Sequence, residues 1–310
     1  MDSLYSKRIP YIFLISFCKT MGYCIKLCDL NRGEIDFSFN DSSLPSFKND
    51  FQFNSKPIPY PTYLQSFQKV QDFIQQGDTY LCNLTFETEI QTTLDLKTIY
   101  DYCLAKYKFF SKDQFVFFSP ERFVHIRDNI ISTNPMKGTI TAELPNNSDI
   151  LLKDPKENSE HNTIVDLLRN DLSIVATQVR LANFKYLDKI KTHKGSIWQM
   201  SSEISGTVRP EYRQTPAKIF DSLLPAGSIC GAPKNRTVEI IHQVENYHRG
   251  YYSGVIGVYD GTEIDSAVMI RYIEKKGDKL VFKSGGGITY MSDPIKEYQE
   301  LNNKIYVPFL

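Results

Sequence analysis

Lys137 stands in the stretch IISTNPMKGTI, after a β-branched run that Pro135 ends and before a Gly–Thr pair, where a long cationic side chain has little packing value. A buried ammonium must be paired or neutralised, so this lysine is either an idle turn residue or a group with chemistry to do. Glu121 lies in SPERF at an apparent strand break and is followed at once by Arg122. Its carboxyl either serves as a general acid from a buried setting or simply pairs with the neighbouring arginine, and sequence does not choose. Near the C-terminus, DPIKEYQELNNKIYV sets Glu297, Glu300 and Lys304 at i, i+3 and i+7 on one helix face, opposite Ile295, Tyr298, Leu301 and Ile305. Two carboxylates one turn apart can hold a hard divalent cation, for which Glu160, early in a helix that begins after residue 155, offers a further acid. A solvated charged face accounts for the same spacing.

Two glycine segments invite a nucleotide reading and fail it. In GSICGAPK, Lys234 does not follow its glycine directly and Asn235 stands where a phosphate loop needs Ser or Thr; SGGGITY departs from the dinucleotide template at Tyr290. Both still offer backbone N–H groups unobstructed by side chains, and Gly231 and Pro233 open a helix whose N-terminus suits an anion, carboxylate as well as phosphate. The five histidines show no metal or triad spacing and no Gly-x-Ser-x-Gly elbow occurs, which disfavours nucleophilic serine chemistry. Six cysteines without Cys-x-x-Cys spacing read as reduced thiols.

The elements that must carry these groups alternate hairpins with single helices. Leu64, Phe67, Val70 and Ile74 predict a helix that Gly77 closes. TYLCNLTFETEI then turns to period two, with Tyr80, Cys82, Leu84, Phe86 and Ile90 on one face and Leu81, Asn83, Thr85, Glu87 and Glu89 on the other. Leu96, Ile99, Tyr100, Cys103, Leu104 and Tyr107 predict a second helix. Residues 115–135 read as strand, break, and a hairpin turning at Asp128–Asn129; Ile164, Leu168, Leu172 and Val175 mark a long helix; Asp260–Gly261 turns a late hairpin. Without regular β-α-β crossovers, the pattern predicts an α+β fold with large antiparallel sheets.

With 310 residues, 41% of them hydrophobic, and 36 basic against 36 acidic side chains, the chain can bury a core but lacks the charge that favours nucleic acid or anionic membrane. The N-terminal apolar run spans only about eight residues and lacks a cleavage site, so neither export nor spanning is expected and the cytoplasm is the expected compartment. Residues 1–62 read as a short N-terminal strand region and a Pro/Ser/Asn-rich connector, and residues 63–310 as one catalytic unit.

Taken in order, SPERF, NPMKGT, KENSEHNTIVDLLRNDL, LLPAGSICGAPK, GVIGVYDG, AVMIRYI, SGGGIT and EYQELNNK resemble the chorismate-utilising enzymes, from about Gln75 to the C-terminus. That family includes aminodeoxychorismate synthase component I, anthranilate synthase component I, and the isochorismate and salicylate synthases, and its fold is a large two-sheet antiparallel β-sandwich flanked by helices. Pro-x-Lys-Gly-Thr resembles the p-aminobenzoate branch of folate synthesis, where the anthranilate and isochorismate branches carry Ala in place of Lys137. The resemblance implies Mg2+ held by Glu160, Glu297 and Glu300 on the ring carboxylate of chorismate. It implies carboxylate contacts from Arg271, Ser228, Lys304 and the backbone of Gly285, Gly286 and Gly287. It further implies that Glu121 protonates the departing C4 hydroxyl and that Lys137 attacks C2 as a neutral amine, to be expelled when ammonia adds at C4.

Three departures accompany the likeness. Leu81 stands where glutamine is usual and where the isochorismate and salicylate branches carry a catalytic lysine; Gln199 replaces a frequent histidine; Val258 replaces a frequent tyrosine. No Leu-Leu-Glu-Ser tryptophan site occurs in residues 1–62, and no cysteine lies in a glutaminase elbow, so ammonia is expected from a separate glutamine amidotransferase subunit. Two rivals stay open: a related enzyme making anthranilate, and a non-catalytic chorismate-binding subunit.

Overall fold

The computed structural model describes residues 1–40, 46–48, 50–192 and 195–309, and its chain divides into two compact units, each interleaved in sequence. One comprises Met1–Leu30, Pro120–Ser228 and Gly254–Val268; the other comprises Asn31–Ser119, Ile229–Ser253 and Met269–Leu310. The division expected near residue 62 is not among these boundaries. Residues 41–45 and 49 of the expected connector lie outside the described residues, and the rest of it is not all connector, since Phe53–Lys56 is a strand and the helix Tyr60–Gln75 begins within it.

The first unit holds a nine-stranded antiparallel sheet. Its order runs from the edge strand Met136–Thr141 through Gly195–Val208, Ile130–Thr133, Arg122–Arg127, Ile264–Val268, Val255–Tyr259 and Tyr11–Ile15 to Gly22–Lys26, and Ala176–Thr192 also pairs with Gly195–Val208. The expected hairpin turn is present, with Asp128 and Asn129 at φ 50° and 61°, the left-handed pair that matches strand twist. The helix Pro155–Val175 starts from Asp154, whose carboxylate accepts the Glu157 N–H at 2.9 Å, with Pro155 preset for the first turn. It buries Ile164, Leu168, Leu172 and Val175, which fixes the face on which Glu160 can emerge. Phe13 packs edge-on against Phe220 of the helix Pro216–Leu223, and its ring fills the space a side chain at Gly257 would need.

The second unit holds an eight-stranded sheet ordered Gly231–Ala232, Leu81–Thr92, Lys279–Thr289, Tyr272–Lys276, Phe115–Ser119, Tyr107–Ser111 and Ile35–Phe39, with Phe53–Lys56 added to Leu81–Thr92. Ile99, Phe110, Val116, Phe118, Ile273 and Phe282 centre its core, under the C-terminal Val307 and Phe309. Here two sequence readings change. The helix expected through Tyr107 ends at Tyr102, because Tyr107–Ser111 is buried strand whose aromatic residues are worth more in the sheet. Tyr80 precedes the strand Leu81–Thr92 and is exposed, whereas Thr85, on the face read as polar, is buried against Glu245. Gly285, Gly286 and Gly287 continue the strand Lys279–Thr289 in register with Thr85, Leu84 and Asn83. Among the described residues no helix is long and apolar enough to cross a membrane.

Candidate active site

In the first unit Lys137 sits on the edge strand Met136–Thr141, whose register against Gly195–Val208 slips between Lys137 and Thr139. Gly138 occupies the slip at φ +70°, a left-handed conformation that glycine adopts without strain, and such a bulge re-aims the side chain beside it. A Cβ at Gly138 would lie 2.8 Å from Glu157 Oε2 and 2.9 Å from Leu151 Cδ1, so both side-chain ends would have to shift to admit one. The Lys137 ammonium is 3.9 Å from Glu160 Oε2, and both side chains are about one-third exposed, at 35% and 36%. Lys137 is therefore half-buried beside a carboxylate rather than enclosed. Glu157 and Glu160, one helical turn apart, both reach this strand, and Glu157 is a group that sequence reasoning passed over; its i, i+3 spacing from Glu160 is the signal that could have found it.

Around Glu121, Nε and Nη2 of Arg122 donate to the two Asp265 oxygens at 3.0 and 3.4 Å, and Nη1 donates to Asn134. Glu121 Oε1 accepts a short hydrogen bond from the Ser228 hydroxyl. The acid and Ser228 thus act as one polar pair. His161, next to Glu160, is fully buried with Nε2 2.7 Å from the Ser202 hydroxyl. Burial, helped by the Lys185 and Lys137 ammonium groups, pushes its pKa down to about 4, so it is neutral near pH 7. No spacing rule marked it.

In the second unit the ladder between Lys279–Thr289 and Tyr272–Lys276 runs through Lys283, and among the described residues no strand continues it along that side of Ser284–Thr289. Three side chains of the last helix and turn converge above it. From the position a Cβ at Gly286 would take, Glu297 Oε2 lies at 3.5 Å, Lys304 Nζ at 3.8 Å and Glu300 Oε1 at 3.9 Å. Lys304 donates to the Gly285 carbonyl at 2.8 Å and pairs with Glu300 at 2.7 Å. Ser292 donates to Glu297 at 2.9 Å and accepts from the Thr289 N–H. Arg271, at φ +54°, stacks its guanidinium over Tyr306. Leu81 reaches within 3.0 Å of the same hypothetical position on Gly287.

The donor set suits magnesium, which takes one or two carboxylates and completes its shell with waters and ligand oxygens. Glu297 and Glu300 converge over a bare Gly286 as such a pair. As the side chains stand, Glu300 pairs with Lys304 and Glu297 accepts from Ser292, while in the first unit Glu160 lies beside Lys137; among the described residues no three His, Cys, Asp or Glu groups gather.

Beneath this strand runs a buried ion pair. Arg249 and Glu245 meet at 2.6 Å, both about 1% exposed, and Arg249 also donates to the Ile229 and Asn83 carbonyls. Glu245 accepts from both the N–H and the hydroxyl of Thr85, the residue opposite Gly285 in the ladder. The six cysteines are free thiols, and burial pushes Cys82 and Cys103 up to about 12, which leaves them inert near neutrality.

A family model described as chorismate binding enzyme matches residues 29–309, and the chain belongs to that family. It is 45% identical over 305 residues to a Haemophilus influenzae protein described as an uncharacterized PabA-like protein, covering 97% of this chain and 93% of that one. It is 28% identical over 265 residues to aminodeoxychorismate synthase component 1 of Bacillus subtilis, covering 81% of this chain and 55% of that one. The crystal structure of anthranilate synthase component I from Streptococcus pneumoniae superposes with a TM-score of 0.68 at 27% identity, covering 86% of this chain and 60% of that one. The α+β fold with two antiparallel sheets is that of the family.

Proposed function

We propose that this chorismate-utilising enzyme aminates chorismate with ammonia to 4-amino-4-deoxychorismate, as aminodeoxychorismate synthase component I, with Mg2+ as cofactor. The observation that carries the reading is Lys137, a lysine re-aimed by a glycine bulge at the Pro-x-Lys-Gly-Thr position and set beside Glu160. Overall identity does not choose the branch, because anthranilate synthases are relatives as well. Leu81 supports the reading from the other side, since an aliphatic group there can activate no water for hydroxylation at C2.

Glu297 and Glu300, with Glu160, would hold magnesium, which when bound withdraws electrons from the ring through its carboxylate. Arg271, Ser228, Lys304 and the backbone of Gly285, Gly286 and Gly287 orient the carboxylates. Lys137 Nζ, as the free amine, attacks C2 while the C4–O bond breaks, and Glu121 gives its proton to the departing oxygen, releasing water. Ammonia then attacks C4 and the C2–N bond to Lys137 breaks, returning the lysine. Ammonia comes from a separate glutamine amidotransferase.

The test is product identity. Purified chain with chorismate, magnesium and ammonium should form 4-amino-4-deoxychorismate; fluorescent anthranilate without a lyase would refute the reading. Omitting ammonia, quenching and digesting should place a chorismate-derived adduct on the peptide that contains Lys137.

A further inference from the structure

The side chain next to the proposed acid is tied to the turn that presents the proposed nucleophile. Arg122 emerges one residue after Glu121 and uses both edges of its guanidinium. Nε and Nη2 grip Asp265 on the neighbouring strand, where the register shifts between Asp265 and Ala267, and Nη1 reaches Asn134 Oδ1 at 3.1 Å. Asn134 is the residue before Pro135, three before Lys137, and its amide donates onward to the Tyr186 hydroxyl at 3.3 Å. These groups are only partly exposed, the Arg122 and Asp265 side chains at 21% and 13%, so the fork is shielded from bulk water. A planar guanidinium with two directions already fixed by a carboxylate has its third direction set too.

We infer that Arg122, anchored by Asp265, is a positioning residue that holds the Asn134–Pro135 turn in register with the Glu121 strand, so that Lys137 is aimed for attack while Glu121 faces the leaving group. The inference rests on the proposed roles of Lys137 and Glu121. It separates two jobs within one cluster. The Arg122–Asp265 pair bridges strands and contributes to the sheet, whereas the Arg122–Asn134 bond adds nothing to that pairing and bears on the Lys137 turn. Small misplacements of a reacting group cost turnover steeply, with little effect on binding.

The deciding variant is Asn134→Ala, which leaves Arg122 and Asp265 intact. Turnover of chorismate should fall at least tenfold with KM for chorismate within twofold and the melting temperature nearly unchanged. Asn134→Asp keeps an acceptor for Arg122 and should recover most of the loss; Arg122→Lys lacks the fork and should not. A second readout is independent of the reaction: limited acetylation followed by peptide mass spectrometry should show a changed modification rate at Lys137 in Asn134→Ala, with Lys189 unchanged. If that rate shifts while the wild type makes a different chorismate product, the brace stands and the assigned reaction falls. Wild-type turnover and an unchanged Lys137 rate in Asn134→Ala would overturn the brace whatever the product.

Discussion

Lys137 occupies the edge strand of its sheet, a third exposed, with Nζ 3.9 Å from Glu160. Replacing this half-buried edge residue by alanine should cost no more than about 1 kcal/mol of stability, while 4-amino-4-deoxychorismate formation disappears. With the lysine gone, C2 is open to ammonia itself, and chromatography of the products should reveal slow amination there. Normal-rate formation of the 4-amino product would reduce Lys137 to a turn residue. Glu300 is half exposed, so Glu300→Gln should fold normally yet raise the magnesium needed for half-maximal activity by about tenfold or more. A magnesium titration beside a thermal melt separates the two effects, and an unshifted titration would remove Glu300 from the metal site.

At the scale of elements, the strand that carries Gly285, Gly286 and Gly287 has its register set by a neighbour, Leu81–Thr92, which the Arg249–Glu245 pair clamps through Asn83 and Thr85. Taking away one member of a buried ion pair leaves the other charged and uncompensated, which typically costs about 3–5 kcal/mol, whereas replacing both by apolar groups costs far less. Arg249→Met should thus lower the urea midpoint severely, and adding Glu245→Leu should restore much of it. If the single and double variants unfold alike, the pair does not clamp the strand. Gly138 shows the same dependence in the other unit, because a bulge at φ +70°, which glycine adopts without strain, bears on where Lys137 points.

For the molecule as a whole, the balanced charge argues for small, specific partners rather than polyanions. The proposed reaction consumes ammonia, and no cysteine here lies in a glutaminase elbow: the six free thiols include two whose burial keeps them protonated. The chain alone should then use ammonium and show no glutamine turnover, gaining glutamine-dependent activity only when a glutamine amidotransferase is added. A coupled assay for glutamate release decides it, and glutamate produced by the purified chain would contradict the division of labour.

Local spacing by itself determined the hairpin at Asp128–Asn129, the helix Pro155–Val175 with Glu160 in its early turns, and the terminal helix that aligns Glu297, Glu300 and Lys304. Such features depend on neighbours within a few residues, so periodicity and turn chemistry suffice to read them. Tertiary structure decided the rest. Arg122 grips Asp265, 143 residues away, and Thr85 is buried by Glu245 from 160 residues away. The glycine run continues as strand because Thr85, Leu84 and Asn83 lie opposite it, and the helix after Leu96 stops at Tyr102 because Tyr107–Ser111 has strands on both sides to pair with. In each case several local outcomes were close in energy, and the choice fell to contacts between segments that the order of residues does not bring together.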